Sequence, residues 1–397
     1  MNMKYLVLLV LGLLVGCESK TDSTPAPEPN NVSENNGDAD LVALRQAVVE
    51  NHAAYIHETL SEFETQSKEL QSAVNAWQAS GSTSDLESAI GEFHEAMDVW
   101  QRAEVLQVGP AGVMGAVAGG EDLRDQIYSW PLSNACRVDQ ELVRLGYESD
   151  FASQAVNVRG LDALEYLLFA QDTSNACPIN SMINTDGQWA ALSEDEIRER
   201  RRTYAKAATD LVVTSAEDLS ARWAEGGSFR TQFTDPSSGQ VYGSVREVLN
   251  GVSDAMFYVE KEVKDMKLAP PLGVVGCASE TCPELIESKY GDRSLRNIRQ
   301  NLVAFQWLFT GGEGSGFDDL LEAVGAEETR DELQNDIQMS IDLVDAIEGE
   351  FTPTLESEPA KLQAVYDQVR NVSTILKTDF VTLLDLDLPK RAEGDND

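Results

Sequence analysis

Apolar residues recur three and four positions apart over long stretches of this chain, and the apolar–polar alternation typical of strands is almost absent. This spacing places the apolar side chains along one face of an α-helix, so the sequence predicts an all-α fold. Ser84 and Ser193 each precede a glutamate by three positions, which is the pattern of a capping box, and Ser294 is a third predicted cap. The predicted helices cover residues 41–78, 86–107, 158–169, 193–223, 242–268, 294–310, 327–348 and 359–386, with shorter helices at 121–128 and 317–324.

The order of these helices indicates two similar halves. Each half has a long helix, an aromatic-rich helix that ends in a glycine-rich loop, a short helix and another long helix; the loops are residues 109–120 and 311–316. A polar stretch rich in glycine and serine separates the halves. We therefore predict two helical bundles, at residues 39–225 and 242–390, joined by a linker at 226–241 and related by an internal duplication.

The first residues have the form of an export signal. Lys4 precedes an apolar run that is too short to be a stable membrane span. The run ends in a Leu-Val-Gly-Cys sequence that resembles a bacterial lipobox, so residues 1–17 are predicted to be a lipoprotein signal with Cys17 as the lipidated residue. Residues 18–38 are polar and predict a flexible tether. Glu18 follows the cysteine, which favours the outer membrane, with the protein facing the periplasm of a Gram-negative bacterium.

Acidic residues dominate the charge of the chain. Lysine and arginine total 30 against 68 aspartate and glutamate residues, which gives a formal net charge of −38. Nucleic-acid-binding proteins need a cationic surface, so this balance argues against nucleic acid as a partner. It is compatible with the attraction of cations. The hydrophobic content of 42% is sufficient for a packed core.

Apart from Cys17, the chain has four cysteines, and an even number favours disulfides in an oxidising compartment. Three pairings are possible. The short separation between Cys277 and Cys282 favours a local bridge, which leaves Cys136 to pair with Cys177. A zinc site made of all four thiolates is the alternative, which the loose spacing of the one close pair disfavours.

Two acidic residues, Asp162 and Glu165, lie three positions apart in a strongly apolar predicted helix. The spacing puts both carboxylates on one face of that helix. Burial of an ionised carboxylate is unfavourable unless a cation, a metal or several donors receive it. Two explanations are open: the acids lie at the solvated edge of the apolar face or pair with Arg159, or they belong to a binding site.

The segment from Gly160 to Glu165, Gly-Leu-Asp-Ala-Leu-Glu, resembles the Gly-x-His-x-x-Glu signature of the imelysin family, with Asp162 in the place of the usual histidine. Other blocks resemble the family in the same order: His52 with Tyr55, Glu104 before a Gly-Pro loop, Trp-Pro-Leu at 130–132, Pro-Pro-Leu-Gly at 270–273, and residues 287–311. The resemblance implies a pair of helical bundles, a location in the bacterial cell envelope and a link to iron uptake. Members were once classed as peptidases.

The resemblance also implies a site. We expect His52, Glu104, Asp162 and Glu165 to converge as ligands of iron or another divalent metal, because carboxylate sets favour harder ions than zinc. The other residues expected to line the pocket are Tyr55, Trp130, Ser294, Asn297 and Asn301.

Structural roles remain open for several of these residues. His52 has the pattern of a hydrogen-bonded core histidine, and Glu104 that of an ion pair with Arg102 or a solvated helix end. Asn297 and Asn301 are four positions apart and have the pattern of buried amides that bind a neighbouring helix. His57 and His94 match no motif and are predicted to be exposed.

Three functions follow from this sequence. The leading hypothesis is a non-enzymatic lipoprotein that binds a metal or small ligand in a carboxylate-lined pocket and serves iron or other metal uptake. The first alternative is a metal-dependent peptidase with Glu165 as the base. The second is a non-catalytic scaffold that binds an outer-membrane receptor such as an iron transporter. The chain contains no His-Glu-x-x-His motif, Gly-x-Ser-x-Gly motif, P-loop or dinucleotide fingerprint.

Overall fold

Long amphipathic helices make up most of the chain, as their apolar spacing predicts. The computed structural model of the protein describes residues 34–390 and residue 392, and this part contains no strand. The predicted lipoprotein signal, Cys17 and most of the predicted tether lie outside the described residues. Within the described part, none of the helices combines the length and the apolar character that a membrane span requires.

The first half of the chain contains eight α-helices in the described residues. The longest, α1, begins at Glu34, earlier than the predicted start at Leu41. The helices are α1 (Glu34–Ser80), α2 (Thr83–Val105), α3 (Leu123–Ile127), α4 (Ala135–Arg144), α5 (Gly160–Phe169), α6 (Met182–Thr185), α7 (Glu194–Trp223) and α8 (Ser228–Thr234).

The second half contains seven α-helices and two π-helical segments in the described residues. They are α9 (Val245–Met256), the π-helical segment Val259–Leu268, α10 (Ser294–Thr310), α11 (Phe317–Ala323), α12 (Glu327–Asp345), α13 (Phe351–Ser357), α14 (Pro359–Ile375), the π-helical segment Leu376–Phe380 and α15 (Val381–Leu383). The helix predicted at 242–268 is therefore wrong as a single α-helix. Ala269 N–H bonds to Lys264 O, five residues back, which is π-helical spacing.

Two of the three predicted helix caps differ from the structure. Ser193 caps α7 as predicted, because its hydroxyl accepts the N–H of Glu196 at 3.2 Å. The cap of α2 is Ser82 rather than Ser84, and Ser82 accepts the N–H of Asp85 at 3.1 Å. Ser294 is the first helical residue of α10 instead of its cap. The polar stretch before the second half also contains a helix, α8, whose phenylalanines are buried.

The buried apolar side chains of both halves belong to one continuous core cluster. The described residues from Leu41 onward form one compact unit. Within it, α2 packs along α10, α5 packs on α7, and α12 packs on both α10 and α14. Side chains of α1 contact α2, α7 and α10, as in the stacking of Tyr55 on Trp307 at 3.6 Å between ring centroids. The all-α prediction is confirmed, whereas the linker boundary and the internal duplication stay predictions.

Two disulfides link cysteines of the described chain, with the predicted pairing. Cys136 of α4 is bonded to Cys177, and Cys277 is bonded to Cys282. The alternative of a four-thiolate zinc site is therefore wrong, because all four sulfurs are used in these bonds.

Candidate functional site

The first turn of α5 lies close to the end of α3. Gly160 begins α5 with φ of +80°, and a β-carbon there would lie 2.6 Å from Ile127 O, so the approach requires glycine. This close approach of α5 to the end of α3 places Asp162 against the backbone that follows α3. Asp162 Oδ2 accepts N–H bonds from Ser129 at 2.6 Å and from Trp130 at 3.1 Å. Asp162 Oδ1 has no hydrogen-bond partner in the part of the chain that the structure describes.

The surroundings of Asp162 favour its protonated form. Burial raises the pKa of Asp162 to about 8, the positive charge of Arg124 opposes this shift, and the neighbouring Glu165 carboxylate adds to it. The predicted ion pair with Arg159 is not formed: Arg159 is buried, and its Nε has no hydrogen-bond partner among the described residues.

Glu165, one turn further along α5, accepts hydrogen bonds at both of its oxygens. Ser288 Oγ donates to its Oε2 at 2.9 Å, and the backbone N–H groups of Tyr290 and Gly291 both donate to its Oε1 at 3.0 Å. Burial raises the pKa of Glu165, and these donors act in the opposite direction. Glu165 therefore joins α5 to residues 288–291 in the second half.

Glu104 lies at the end of α2 with no solvent exposure and faces two cations. Arg124 of α3 donates to Glu104 Oε1 at 3.1 Å through Nε and at 2.5 Å through Nη2. The ammonium of Lys267, also fully buried, lies 3.9 Å from Glu104 Oε2. The predicted pair with Arg102 is wrong, because Arg102 bonds to Glu62 instead.

Glu287 and Tyr128 complete this buried network. Glu287 Oε1 accepts the phenolic O–H of Tyr128 at 2.8 Å and lies 3.0 Å from the Lys267 ammonium. Burial raises the pKa of Tyr128 well above its ordinary value, and four carboxylates add to the shift, those of Glu287, Asp162, Glu104 and Glu165. Three of the four predicted metal ligands thus lie around one tyrosine, together with an acid that was not predicted.

A small cavity opens beside these acids, here called the carboxylate cavity. Its volume is about 70 Å³, and its lining includes Asp162, Glu165, Glu287, Lys289 and the rings of Tyr166 and Tyr290.

A second cavity of about 340 Å³, here called the apolar groove, shares Ser133, Glu287 and Lys289 with the first. Its apolar lining comprises Trp130, Pro131, Met266, Pro270, Leu285 and Ile286. Trp130 also lines a third cavity of about 260 Å³ on the side of Arg124. The Trp-Pro segment thus forms a wall shared by two cavities.

His52 and Tyr55 lie at a different place, against the end of α10. His52 is buried, its Nε2–H donates to Leu308 O at 2.8 Å, and its ring packs on Phe317. Burial lowers the pKa of His52 to about 4, which the hydrogen bond only partly offsets, so this histidine is neutral. Tyr55 stacks on Trp307. These contacts match the structural alternative for His52 and include none of the three acids.

The three predicted polar residues of α10 are buried in helix contacts. Ser294 accepts the N–H of Ser288 at 3.1 Å beside the Glu165 site. Asn297 accepts from Arg293 Nε at 2.7 Å. Asn301 donates to Gln101 O of α2 at 2.7 Å and accepts from Lys267 at 2.8 Å, as buried amides require.

The two remaining histidines are not exposed as predicted. His94 is half-buried and receives a contact from Arg293 Nη1 at 3.3 Å. His57 is also half-buried, and its Nδ1 is shielded from solvent.

The four predicted ligands do not fit a resident metal. Across residues 34–390 and 392, no three His, Cys, Asp or Glu side chains are grouped so that they could hold a metal ion. The charge of Glu104 is balanced by Arg124 and Lys267, and Glu165 accepts three hydrogen bonds. The prediction that the protein binds a metal therefore has no support from the arrangement of these four side chains.

Sequence reasoning missed the partners of these acids: Arg124, Tyr128, Lys267 and Glu287. Lys267 carried a usable signal, because it lies four positions after Val263 and therefore on the apolar face of its helical segment. A lysine on such a face needs a buried anion. Nothing local marks Tyr128 or Glu287 as a partner, because both are far in sequence from Asp162.

The fold and the site together define a class of protein: all-α and disulfide-linked, with a buried acidic cluster beside a cavity. The chain belongs to the imelysin family, because the family model described as Imelysin matches residues 56–377. This confirms the family predicted from the sequence blocks. No curated protein matches the chain.

Two solved structures have a similar fold. An imelysin-like protein from Psychrobacter arcticum 273-4 has a TM-score of 0.64 and 14% sequence identity, over 87% of this chain and 96% of that chain. A structure described as a putative iron-regulated protein A precursor, from Parabacteroides distasonis ATCC 8503, has a TM-score of 0.64 and 18% identity, over 84% of this chain and 94% of that chain. At these identities the likeness supports the fold alone.

Proposed function

We propose that this protein is a non-catalytic ligand-binding member of the imelysin family that serves iron or other metal acquisition at the bacterial cell envelope. Its ligand binds in the carboxylate cavity, next to Asp162 and Glu287. Membership of the family supports the proposal, and one structural neighbour is itself described as iron-regulated.

The observation that carries the proposal is a pair of acidic side chains with unused acceptor atoms at one cavity. Glu287 Oε2 is shielded from solvent and has no hydrogen-bond partner among the described residues. The hydrogen bonds of Asp162 all go to its Oδ2, and both side chains line the carboxylate cavity. A buried acceptor normally has a partner, so the unpaired Glu287 Oε2 at a cavity favours a ligand that supplies one.

A titration of the full-length protein tests the site. Binding of ferric citrate and of Fe²⁺ under anaerobic conditions is measured by calorimetry for wild type and for Asp162→Asn. The asparagine oxygen still accepts from Ser129 and Trp130, while an NH₂ group replaces the unused acceptor. Asp150→Asn is the matched control, because Asp150 is exposed and its positive φ suits asparagine. Loss of binding in Asp162→Asn alone supports the cavity; equal binding by all three proteins contradicts it.

The location is part of the proposal. Lipidation at Cys17 would hold the protein at the outer membrane, facing the periplasm, where an iron transporter is the proposed partner. Two disulfides support an oxidising compartment. Fractionation of cells that express wild type and Cys17→Ser tests this: the wild-type protein is expected in the outer-membrane fraction and the variant in the soluble periplasm. Equal distribution of the two proteins would contradict the anchor.

The peptidase alternative has weaker support. Glu165, which would act as the base, accepts three hydrogen bonds and has no unused oxygen for a water molecule. Incubation of the protein with Zn²⁺ and casein is therefore expected to give no cleavage above that of Glu165→Gln. Cleavage by wild type but not by the variant would favour the enzyme.

A further inference from the structure

The carboxylate cavity has the features of a cation site, and this inference rests on the proposed function of that cavity. Three acids line it, Asp162, Glu165 and Glu287, against one base, Lys289. The apolar groove adds Asp265 and Glu284 and shares the same lysine. Lys267 pairs with Glu287, and Lys261 and Lys264 pair with Asp265. Acids still outnumber bases in the lining of both cavities, which favours a positively charged ligand over an anion.

The atoms still without partners at this cavity are acceptors. The Glu287 side chain is fully shielded from solvent, and its Oε2 has no hydrogen-bond partner in the described chain. Above about pH 8, where Asp162 is ionised, its Oδ1 is a second acceptor without a partner among the described residues, while its Oδ2 is held by two backbone N–H groups. A ligand that donates hydrogen bonds satisfies both oxygens, and a ligand that only accepts leaves them unpaired.

A bare metal ion fits these donors less well than an ammonium group does. Hard divalent ions take six or more oxygen ligands, and the described residues provide no group of three suitable side chains. An ammonium has three N–H donors and also interacts with aromatic faces. Tyr166 and Tyr290 line the same cavity with ring centroids 5.0 Å apart.

The apolar groove indicates what is attached to the charged group. Its volume of about 340 Å³ lies in the range of small-molecule pockets, whereas the carboxylate cavity of about 70 Å³ accommodates only a small group. The two cavities share Ser133, Glu287 and Lys289, so one molecule can occupy both. We infer that the ligand is an organic cation, with a primary ammonium group in the carboxylate cavity and an apolar body in the apolar groove.

The positive charge of Lys289 opposes the binding of an organic cation. Its side chain is exposed, lines both cavities and places its ammonium 5.2 Å from the centre of the Tyr290 ring. The positive charge of Lys289 at the cavity mouth repels an ammonium ligand. Removal of that charge should therefore strengthen binding, whereas removal of the Asp162 charge should weaken it.

The test is a calorimetric titration of the full-length protein with hexylammonium, methylammonium and 1-hexanol at about pH 8.5, where the amines stay protonated. Hexylammonium should bind more tightly than hexanol, and affinity should rise about fourfold for each methylene buried in the groove. Asp162→Asn should weaken hexylammonium about tenfold or more, because a charge-assisted hydrogen bond is lost. Lys289→Gln should strengthen it severalfold, and Asp150→Asn should have no effect.

The outcomes separate the two proposals. Equal affinity for hexylammonium and hexanol, or unchanged affinity in Asp162→Asn, overturns the organic-cation assignment. If iron binds in a manner that depends on Asp162 while hexylammonium does not bind, the ligand class is wrong and the site remains. If neither iron nor the amine depends on Asp162, the carboxylate cavity is not the site and both proposals fail. Thermal unfolding of each variant shows whether it is folded.

Discussion

Two regions around Tyr128 contain buried acids, and the groups that neighbour these acids differ between the regions. Near Glu104, the cations of Arg124 and Lys267 lie within ion-pair distance, so the charges are balanced by the chain itself. Near Asp162, backbone N–H groups hold one oxygen and a cavity borders the side chain. The difference shows that a buried acid does not by itself indicate a binding site. An acid beside free space, with an acceptor that the chain does not use, is the stronger indication.

The largest expected effect comes from removing the cation of the balanced region. Lys267→Met leaves Glu104 and Glu287 buried without their ammonium partner, which should lower the free energy of unfolding by about 3–5 kcal/mol. Urea denaturation measures this. The control is Lys206→Met, because Lys206 pairs with Asp210 on the surface, and the expected change is under about 1 kcal/mol. An equal loss in both variants would show that Lys267 does not balance buried charge.

The second prediction concerns Glu165. Glu165→Ala removes three hydrogen bonds to a buried side chain and should lower the free energy of unfolding by roughly 2–4 kcal/mol. Hydrogen exchange gives a local readout, because the amides of Tyr290 and Gly291 lose their acceptor and should exchange faster. The exposed Glu148 provides the control variant, Glu148→Ala. Unchanged exchange at both amides would contradict the link between α5 and residues 288–291.

The third prediction is a pH dependence of stability that comes from Asp162. Its pKa is raised in the folded protein from an ordinary value of 3.8 to about 8, so the folded state keeps a proton that the unfolded state releases. This contribution to stability is complete below about pH 4. It decreases as the pH rises to about 8, by at most about 1.4 kcal/mol per pH unit, and is then constant.

The comparison with Asp162→Asn isolates this contribution. The charged groups that face Asp162 are Arg124 of α3, Glu104 of α2 and Glu165 of α5, with Glu287 and Lys289 at the cavity. These groups remain in the variant, so the stability difference between the two proteins should change from pH 5 to pH 8 in favour of the variant. Urea denaturation at each pH measures it. A difference that is constant with pH would show that Asp162 is not protonated in the folded protein at neutral pH.

The smallest expected effect is that of His52, which was predicted to share the site. His52→Gln should lower the free energy of unfolding by about 1–2 kcal/mol through the hydrogen bond to Leu308 O, and ligand affinity should be unchanged. Calorimetry and urea denaturation measure the two quantities. A loss of affinity comparable to that of Asp162→Asn would place His52 in the ligand site, contrary to its contacts with Leu308 and Phe317.

Helical periodicity predicted most of the fold because the long helices bury one continuous apolar face. Their ends were harder to predict. The end of α10 was correct, because Gly311 adopts a positive φ that favours glycine. The caps at Ser84 and Ser294 were wrong, because a serine becomes a cap only if the chain direction brings its hydroxyl to a free N–H. The π-helical segment after Tyr258 has the same apolar spacing as an α-helix and was not distinguished from one.

The sequence predicted only the part of the site that a local pattern marks. Asp162 and Glu165 were identified because two acids in an apolar helix need partners. The partners of Asp162 lie 32 and 33 positions away and those of Glu165 lie 123 to 126 positions away, so packing rather than local pattern determines them. Glu165 illustrates the limit: it lies one turn from Asp162 on the same apolar helix and lines the same cavity, yet residues 288–291 donate to both of its oxygens, whereas only one oxygen of Asp162 has donors.

Each disulfide lies next to a wall of the proposed site. Cys136 follows directly after Ala135, which lines the carboxylate cavity, and Cys282 precedes the lining residues Glu284 to Glu287 by two positions. Protein made in a reducing cytosol would therefore lack the bonds that tether both walls. Material for ligand work should come from an oxidising host compartment, since a preparation that is well folded by circular dichroism can still be deficient in binding.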